Sequence, residues 1–134
     1  MTDPSASSAA PHTSVSTHIL DTSVGRPAEG VAVSLSVRAG GSSPWRDHGA
    51  GHTDADGRCK TLPALPEGTT HVRLDFVTGP YFTQQAEAQQ DAPRVRDSGA
   101  FFPEVAIVFA VAPGEHYHVP LLLNPFGYSV YRGS

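Results

Sequence analysis

Two stretches of this chain, residues 31–37 (VAVSLSV) and 71–77 (HVRLDFV), alternate apolar and polar residues with a period of two. Side chains of an extended strand point to opposite faces in turn, so each stretch specifies a half-buried β-strand rather than a helix. Val31, Val33, Leu35 and Val37 share one face of the first; Val72, Leu74 and Phe76 share one face of the second. Thirteen Gly and twelve Pro among 134 residues add many turns and leave little room for helix.

The rest of the chain fits the same pattern. Residues 15–20 (VSTHIL) read as a first strand, followed by a turn-rich connector over 21–30. Residues 45–53 make a poor strand, suited to a sheet edge. Asp56-Gly57 is a tight-turn signal, because Gly tolerates positive φ. Residues 81–90 (YFTQQAEAQQ) are the one helix candidate, and 91–103 form a polar loop. Residues 105–111 (VAIVFAV) are apolar on both faces and read as a central strand. Two last strands, 116–123 and 128 to the end, are joined across Asn124-Pro125-Phe126-Gly127. Seven or eight strands with one short helix describe an all-β, two-sheet antiparallel sandwich of the immunoglobulin-like kind. One domain is expected over 15–134, preceded by a polar, disordered tail over 1–14.

Composition excludes several classes of function. Net charge is −4 with no basic block, which argues against a nucleic-acid partner. No apolar run approaches the roughly 20 residues of a membrane helix. The single cysteine, Cys59, makes no intramolecular disulfide and no Cys-based zinc site. With no signal-peptide pattern at its start, the chain is expected in the cytosol, a peroxisomal route staying open.

Chemistry concentrates in four places. His18 lies on the first strand and shares a face with Ser16 and Leu20. Arg58 follows the Asp56-Gly57 turn. His116 and His118, at i and i+2, share a strand face. Tyr131-Arg132-Gly133-Ser134 ends a segment that alternates aromatic and small residues to its last turn, as a pinned terminus does. Tyr131 and Arg132 suit a flat polar heterocycle, by stacking and forked hydrogen bonds. Taken singly, each place has an ordinary explanation: a half-exposed histidine, a solvated guanidinium, a polar strand edge, a last strand. His116 and His118 could chelate a metal with His18 as third ligand, or set one imidazole in a pocket and one at its rim. Asp54-Ala-Asp-Gly57 echoes a calcium loop, but His52 and Pro63 stand where ligands are needed. No nucleophile elbow surrounds any Ser or Cys. Cys59 alternates away from Arg58.

Three blocks together resemble the transthyretin-like family, in its 5-hydroxyisourate hydrolase branch. They are residues 17–31 (THILDTSVGRPAEGV), 53–58 (TDADGR) and 116–134 (HYHVPLLLNPFGYSVYRGS). The resemblance implies a transthyretin-like (prealbumin-like) sandwich assembled as a homotetramer, a dimer of dimers with sites in a central channel. It implies hydrolysis of 5-hydroxyisourate to 2-oxo-4-hydroxy-4-carboxy-5-ureidoimidazoline in urate degradation, with no cofactor and no metal. His18, Arg58, His118 and Ser134 match catalytic positions; Tyr131 and Arg132 join His18, Arg58 and Ser134 in holding substrate. The chain departs from the family's usual pattern in its 14-residue leader, in a longer polar loop over 88–103, and in Asn124 where serine is more usual.

The implied chemistry is coherent. Opening a cyclic amide needs a base for water, a proton for the leaving nitrogen and a donor for the oxyanion. A histidine serves either proton-transfer role near neutral pH. His118 is assigned as base and His18 as orienter or acid, an order the sequence leaves open. Arg58 supplies fixed positive charge for the oxyanion and disfavours a neighbouring imidazolium. Tyr131 and Ser134 are expected on the substrate edge, and Arg132 is expected to pair across a subunit interface. Leu121 and Leu123 share one face of their strand and Leu122 shares the other with Pro120; one face is expected to fill the core and the other to serve contacts beyond it. The competing readings are a non-catalytic carrier of a small aromatic ligand, whose channel would be mainly apolar, and a purely structural sandwich.

Overall fold

Eight strands and one helix organise the residues described by the computed structural model, 12–88 and 100–133. In chain order they are β1 (Ser14–Asp21), β2 (Arg26–Pro27), β3 (Ala32–Arg38), β4 (Arg46–His52), β5 (His71–Val77), α1 (Gly79–Ala88), β6 (Glu104–Ala110), β7 (His116–Asn124) and β8 (Gly127–Val130). The expected tail up to residue 11, the end of the helix candidate, the loop over 89–99 and Ser134 lie outside the described residues. The first strand begins at Ser14, one residue before its expected start.

The strands form two four-stranded sheets, β2-β1-β7-β8 and β4-β3-β5-β6. Their facing sides supply the core. Ile19, Leu35, Leu74, Phe76 and Leu121 are fully buried there, each contributing about 1.5–3 kcal/mol of transfer free energy. Period-two alternation does the sorting: β1 and β5 alternate half-buried and buried residues along their length. Of the two faces of β7, that of Leu121 and Leu123 fills the core, while Leu122 is half-buried on the outer side. Helix α1 closes one end of the sandwich. Its Tyr81 hydroxyl donates to buried Asp21 Oδ2 at 2.6 Å, and burial with that bond pushes the phenol above its ordinary range.

Three features differ from the sequence expectation. First, the β2-β1-β7-β8 sheet is mixed, because β1 and β7 run parallel from Ser14↔His116 to Asp21↔Leu123. Parallel neighbours need a long crossover, and here the chain builds the whole second sheet before returning. Second, the connector over 21–30 contains β2, a short edge strand against Leu20 and Asp21. Third, β6 is an edge strand, not a central one. Its inward row, including Val105, packs on the core, while Val108 on the outward row is 52% exposed. β4 sits at the opposite edge as expected. No helix among the described residues is long and apolar enough to cross a membrane.

Candidate active site

The parallel β1–β7 register creates the site. It pairs Ser14 with His116, Ser16 with His118 and His18 with Pro120. Directly paired residues share a face, so these six side chains form two rows on the outer side of the sheet. The inner side receives Val15, Thr17 and Ile19 against Tyr117, Val119 and Leu121. Buried Thr17 donates its hydroxyl to Val119 O at 2.6 Å, locking the two strands together.

Arg58 reaches this face through a short turn. The Asp54 carboxylate accepts the backbone N–H groups of Asp56 (2.9 Å) and Arg58 (3.1 Å), with Lys60 beside it at 3.3 Å. These donors hold the Asp54 carboxyl below its ordinary range, the Arg58 N–H having the largest effect. What resembles part of a calcium loop is therefore a side-chain-capped turn. Gly57 takes φ of +78° and its carbonyl accepts Ile19 N–H at 2.8 Å. Arg58 then bridges His18 in antiparallel fashion. Its guanidinium has no carboxylate partner among the described residues. Cys59, next in line, is buried on the other side as alternation requires.

The tail reaches the same face from the opposite edge. Gly133 N–H donates to His118 O at 2.8 Å, and its backbone lies so close that a Cβ there would stand 2.8 Å from His118 Cδ2. The tail thus covers His118 and Pro120.

His118 is half-buried, and its imidazole is held below the ordinary value of 6.5, first by desolvation and then by the charges of Arg58, His18 and His116. A neutral imidazole beside a fixed guanidinium is suited to accept a proton rather than carry one. His118 Nδ1 lies 2.8 Å from Ser16 Oγ, which leaves Nε2 without a hydrogen-bond partner among the described residues. Of the histidine pair, His118 is half-buried and His116 is exposed. Among the described residues no three His, Cys, Asp or Glu side chains gather to hold a metal.

His18, Arg58 and His118 therefore meet on one face, with Gly133 against them. Arg132 does not join them. An extended chain turns successive side chains to opposite sides, and with Gly133 facing His118, the Arg132 guanidinium lies 4.7 Å over the inward Tyr117 ring. It pairs with Glu115 of its own chain at 3.1 Å, an exposed ion pair beside the start of β7. Tyr131 is 56% exposed, borders the cleft between β6 and β7, and makes no hydrogen bond to either histidine among the described residues. Ser134 lies outside the described residues. Sequence reasoning missed Ser16 as a partner of His118. The visible signal was its shared face with His18; the strand beside it could not be read.

A sandwich of two four-stranded sheets in this strand order is of the transthyretin-like class. Residues 15–133 match the HIUase/Transthyretin family, and the chain belongs to that family. A 5-hydroxyisourate hydrolase of Salmonella typhimurium is 40% identical over 133 residues, spanning 98% of this chain and 88% of that protein. The structure of Klebsiella pneumoniae 5-hydroxyisourate hydrolase matches with a TM-score of 0.68 at 37% identity, covering 90% of this chain and 98% of that one. Transthyretin from Sparus aurata matches with a TM-score of 0.71 at 30% identity, covering 89% and 95%. The fold is thus common to proteins of different names, and the side chains of the site must decide the function.

Proposed function

We propose that this chain is an enzyme that hydrolyses 5-hydroxyisourate to 2-oxo-4-hydroxy-4-carboxy-5-ureidoimidazoline, a step of urate degradation. The observation that supports this best is the convergence of His18, Arg58 and a half-buried His118 on one sheet face. A carrier of an apolar ligand has no use for a desolvated imidazole beside a guanidinium. The relatives named as 5-hydroxyisourate hydrolases point the same way.

In this reading His118 Nε2 takes a proton from water as the oxygen attacks a ring carbonyl carbon. Arg58 stabilises the oxyanion that forms. The carbon–nitrogen bond breaks and His18 delivers a proton to the leaving nitrogen. The reaction transfers no electron, so the reading calls on no redox cofactor. Tyr131 and Ser134 hold the substrate edge. We further propose a homotetramer, a dimer of dimers, with sites where copies meet; half-buried Leu122 and exposed Val108 offer it apolar surface. The cytosol is proposed on composition, and imaging of a tagged chain tests it.

The assay is optical. Urate oxidase generates 5-hydroxyisourate in situ, and its decay is followed with and without the protein. Acceleration supports the hydrolase; retention of ligand without decay supports a carrier. His118→Ala and His18→Ala are each expected to lose activity by about 10²–10⁴-fold, the scale of a positioned acid–base group, while the assembly persists. Full activity in both variants would end the assignment.

A further inference from the structure

The outer face carries a continuous chain of hydrogen bonds that the catalytic reading does not use. His118 Nδ1 lies 2.8 Å from Ser16 Oγ; the same Oγ lies 2.9 Å from His116 Nε2; His116 Nδ1 lies 2.7 Å from Ser14 Oγ. His118 is half-buried and His116 exposed, so the chain runs from the site to the surface. We infer that Ser16 and His116 form a proton relay that fixes the tautomer of His118 and carries its proton to solvent.

The hydrogen-bond inventory allows the chain two directions, and the hydrolase reading selects one. Ser16 has one hydroxyl proton and faces two imidazoles, so it donates to one and accepts from the other. With both rings neutral, two arrangements of opposite direction satisfy every contact, and the need of a base for a lone pair on His118 Nε2 selects one of them. His118 Nδ1–H donates to Ser16 Oγ, Ser16 Oγ–H donates to His116 Nε2, and His116 Nδ1–H donates to Ser14 Oγ. The tautomers are assigned from this network. The relay thereby holds a lone pair on His118 Nε2, the form a base requires.

The inference rests on the hydrolase reading, whose proton balance gives the relay its task. Water supplies one proton to His118, and the broken carbon–nitrogen bond takes one at nitrogen. The new carboxylic acid ionises at neutral pH, and the imidazoles return to their starting state, so one proton leaves per turnover. A proton arriving at His118 Nε2 shifts Nδ1–H to Ser16, the Ser16 proton to His116 Nε2, and the His116 Nδ1 proton outward; the reversed tautomers reset when the Nε2 proton passes to solvent after product leaves and another enters at His116 Nδ1, an exchange that leaves the net count at one proton out. Among the described residues, the charged and titratable groups acting on His118 are Arg58 from the turn, His18 on β1 and His116 on β7. Two of the three are cationic when protonated and the third always is, so a proton on His118 is driven out rather than held. Ser16 is a positioning residue in this scheme, acting through His118.

The test combines kinetics with imidazole nitrogen chemical shifts of the full chain. Ser16→Ala is expected to lower kcat about 10- to 100-fold, the scale on which an orienting partner matters to a functional histidine, with KM nearly unchanged. Ser16→Thr, which keeps the hydroxyl, is expected to restore most of it. His116→Ala is expected to turn over faster as imidazole buffer is added, whereas the parent chain ignores the buffer. In the spectra His118 should hold its proton on Nδ1 and lose that preference in Ser16→Ala. An unchanged tautomer in Ser16→Ala, or wild-type kcat in Ser16→Ala with no buffer response in His116→Ala, overturns the relay. Failure of the parent chain to act on 5-hydroxyisourate removes the hydrolase reading instead, and the shifts still report on the relay.

Discussion

At the scale of single residues, His118 is tuned by its surroundings. Desolvation lowers its affinity for a proton, and Arg58 lowers it further. The base therefore stays neutral, and active, below the ordinary imidazole value of 6.5. The acid limb of kcat/KM, which reports the free enzyme, is expected below that pH. Arg58→Gln removes one lowering influence, so its acid limb should move upward. It should also lose about 10²–10³-fold in kcat, the cost of a missing oxyanion donor. A pH–rate series on both proteins checks the two effects together; an unmoved limb in Arg58→Gln would show that the guanidinium does not reach the imidazole. The same depressed value links to stability. The unfolded chain binds this proton more readily, so the stability contribution is complete above 6.5 and lost as pH falls through the folded value.

At the scale of elements, much of the sandwich was legible, and the illegible parts have physical reasons. β5 matches its expected bounds, because a half-buried strand writes its two faces into alternate residues. The Asp56-Gly57 turn was legible from glycine's tolerance of positive φ. Alternation tells which face a residue takes but not which strand lies beside it. The parallel contact of β1 with β7 was therefore hidden, and with it the bond from Ser16 to His118. The family resemblance brought His18, Arg58 and His118 together, yet it did not say that Arg132 would turn inward onto Tyr117. The turn before Arg58 carries its own prediction. A Cβ at Gly57 would stand 2.4 Å from Ile19 O, at a φ of +78°. Gly57→Ala is expected to destabilise by about 1–3 kcal/mol and to shift Arg58 away from His18. A denaturation midpoint and a kcat measured on the folded fraction separate the two effects. Unaltered values for both would mean that the turn is not what positions the guanidinium.

At the scale of the whole molecule, the question is what covers β6. The sequence reading took its two apolar faces as the mark of a central strand, and the single chain places it at an edge. Both observations agree if a second copy supplies the missing neighbour, since apolarity records burial in the assembly and not in the chain. An exposed apolar edge strand is otherwise a template for aggregation. β6 carries no Lys, Arg or Pro, and its one charge is Glu104 at the start. Val108, more than half exposed, marks its outward row. Val108→Lys puts a charge where a partner strand would pack, at little cost to the folded chain because the side chain already faces water. Light scattering is expected to show a smaller particle than the parent's, with an unchanged β-sheet circular dichroism spectrum. If the sites lie where copies meet, catalysis should fall with the particle size, even though Val108 belongs to the other sheet from His18 and His118. A variant of parental size and parental activity would leave β6 uncovered, and the charge-free edge would then need another partner.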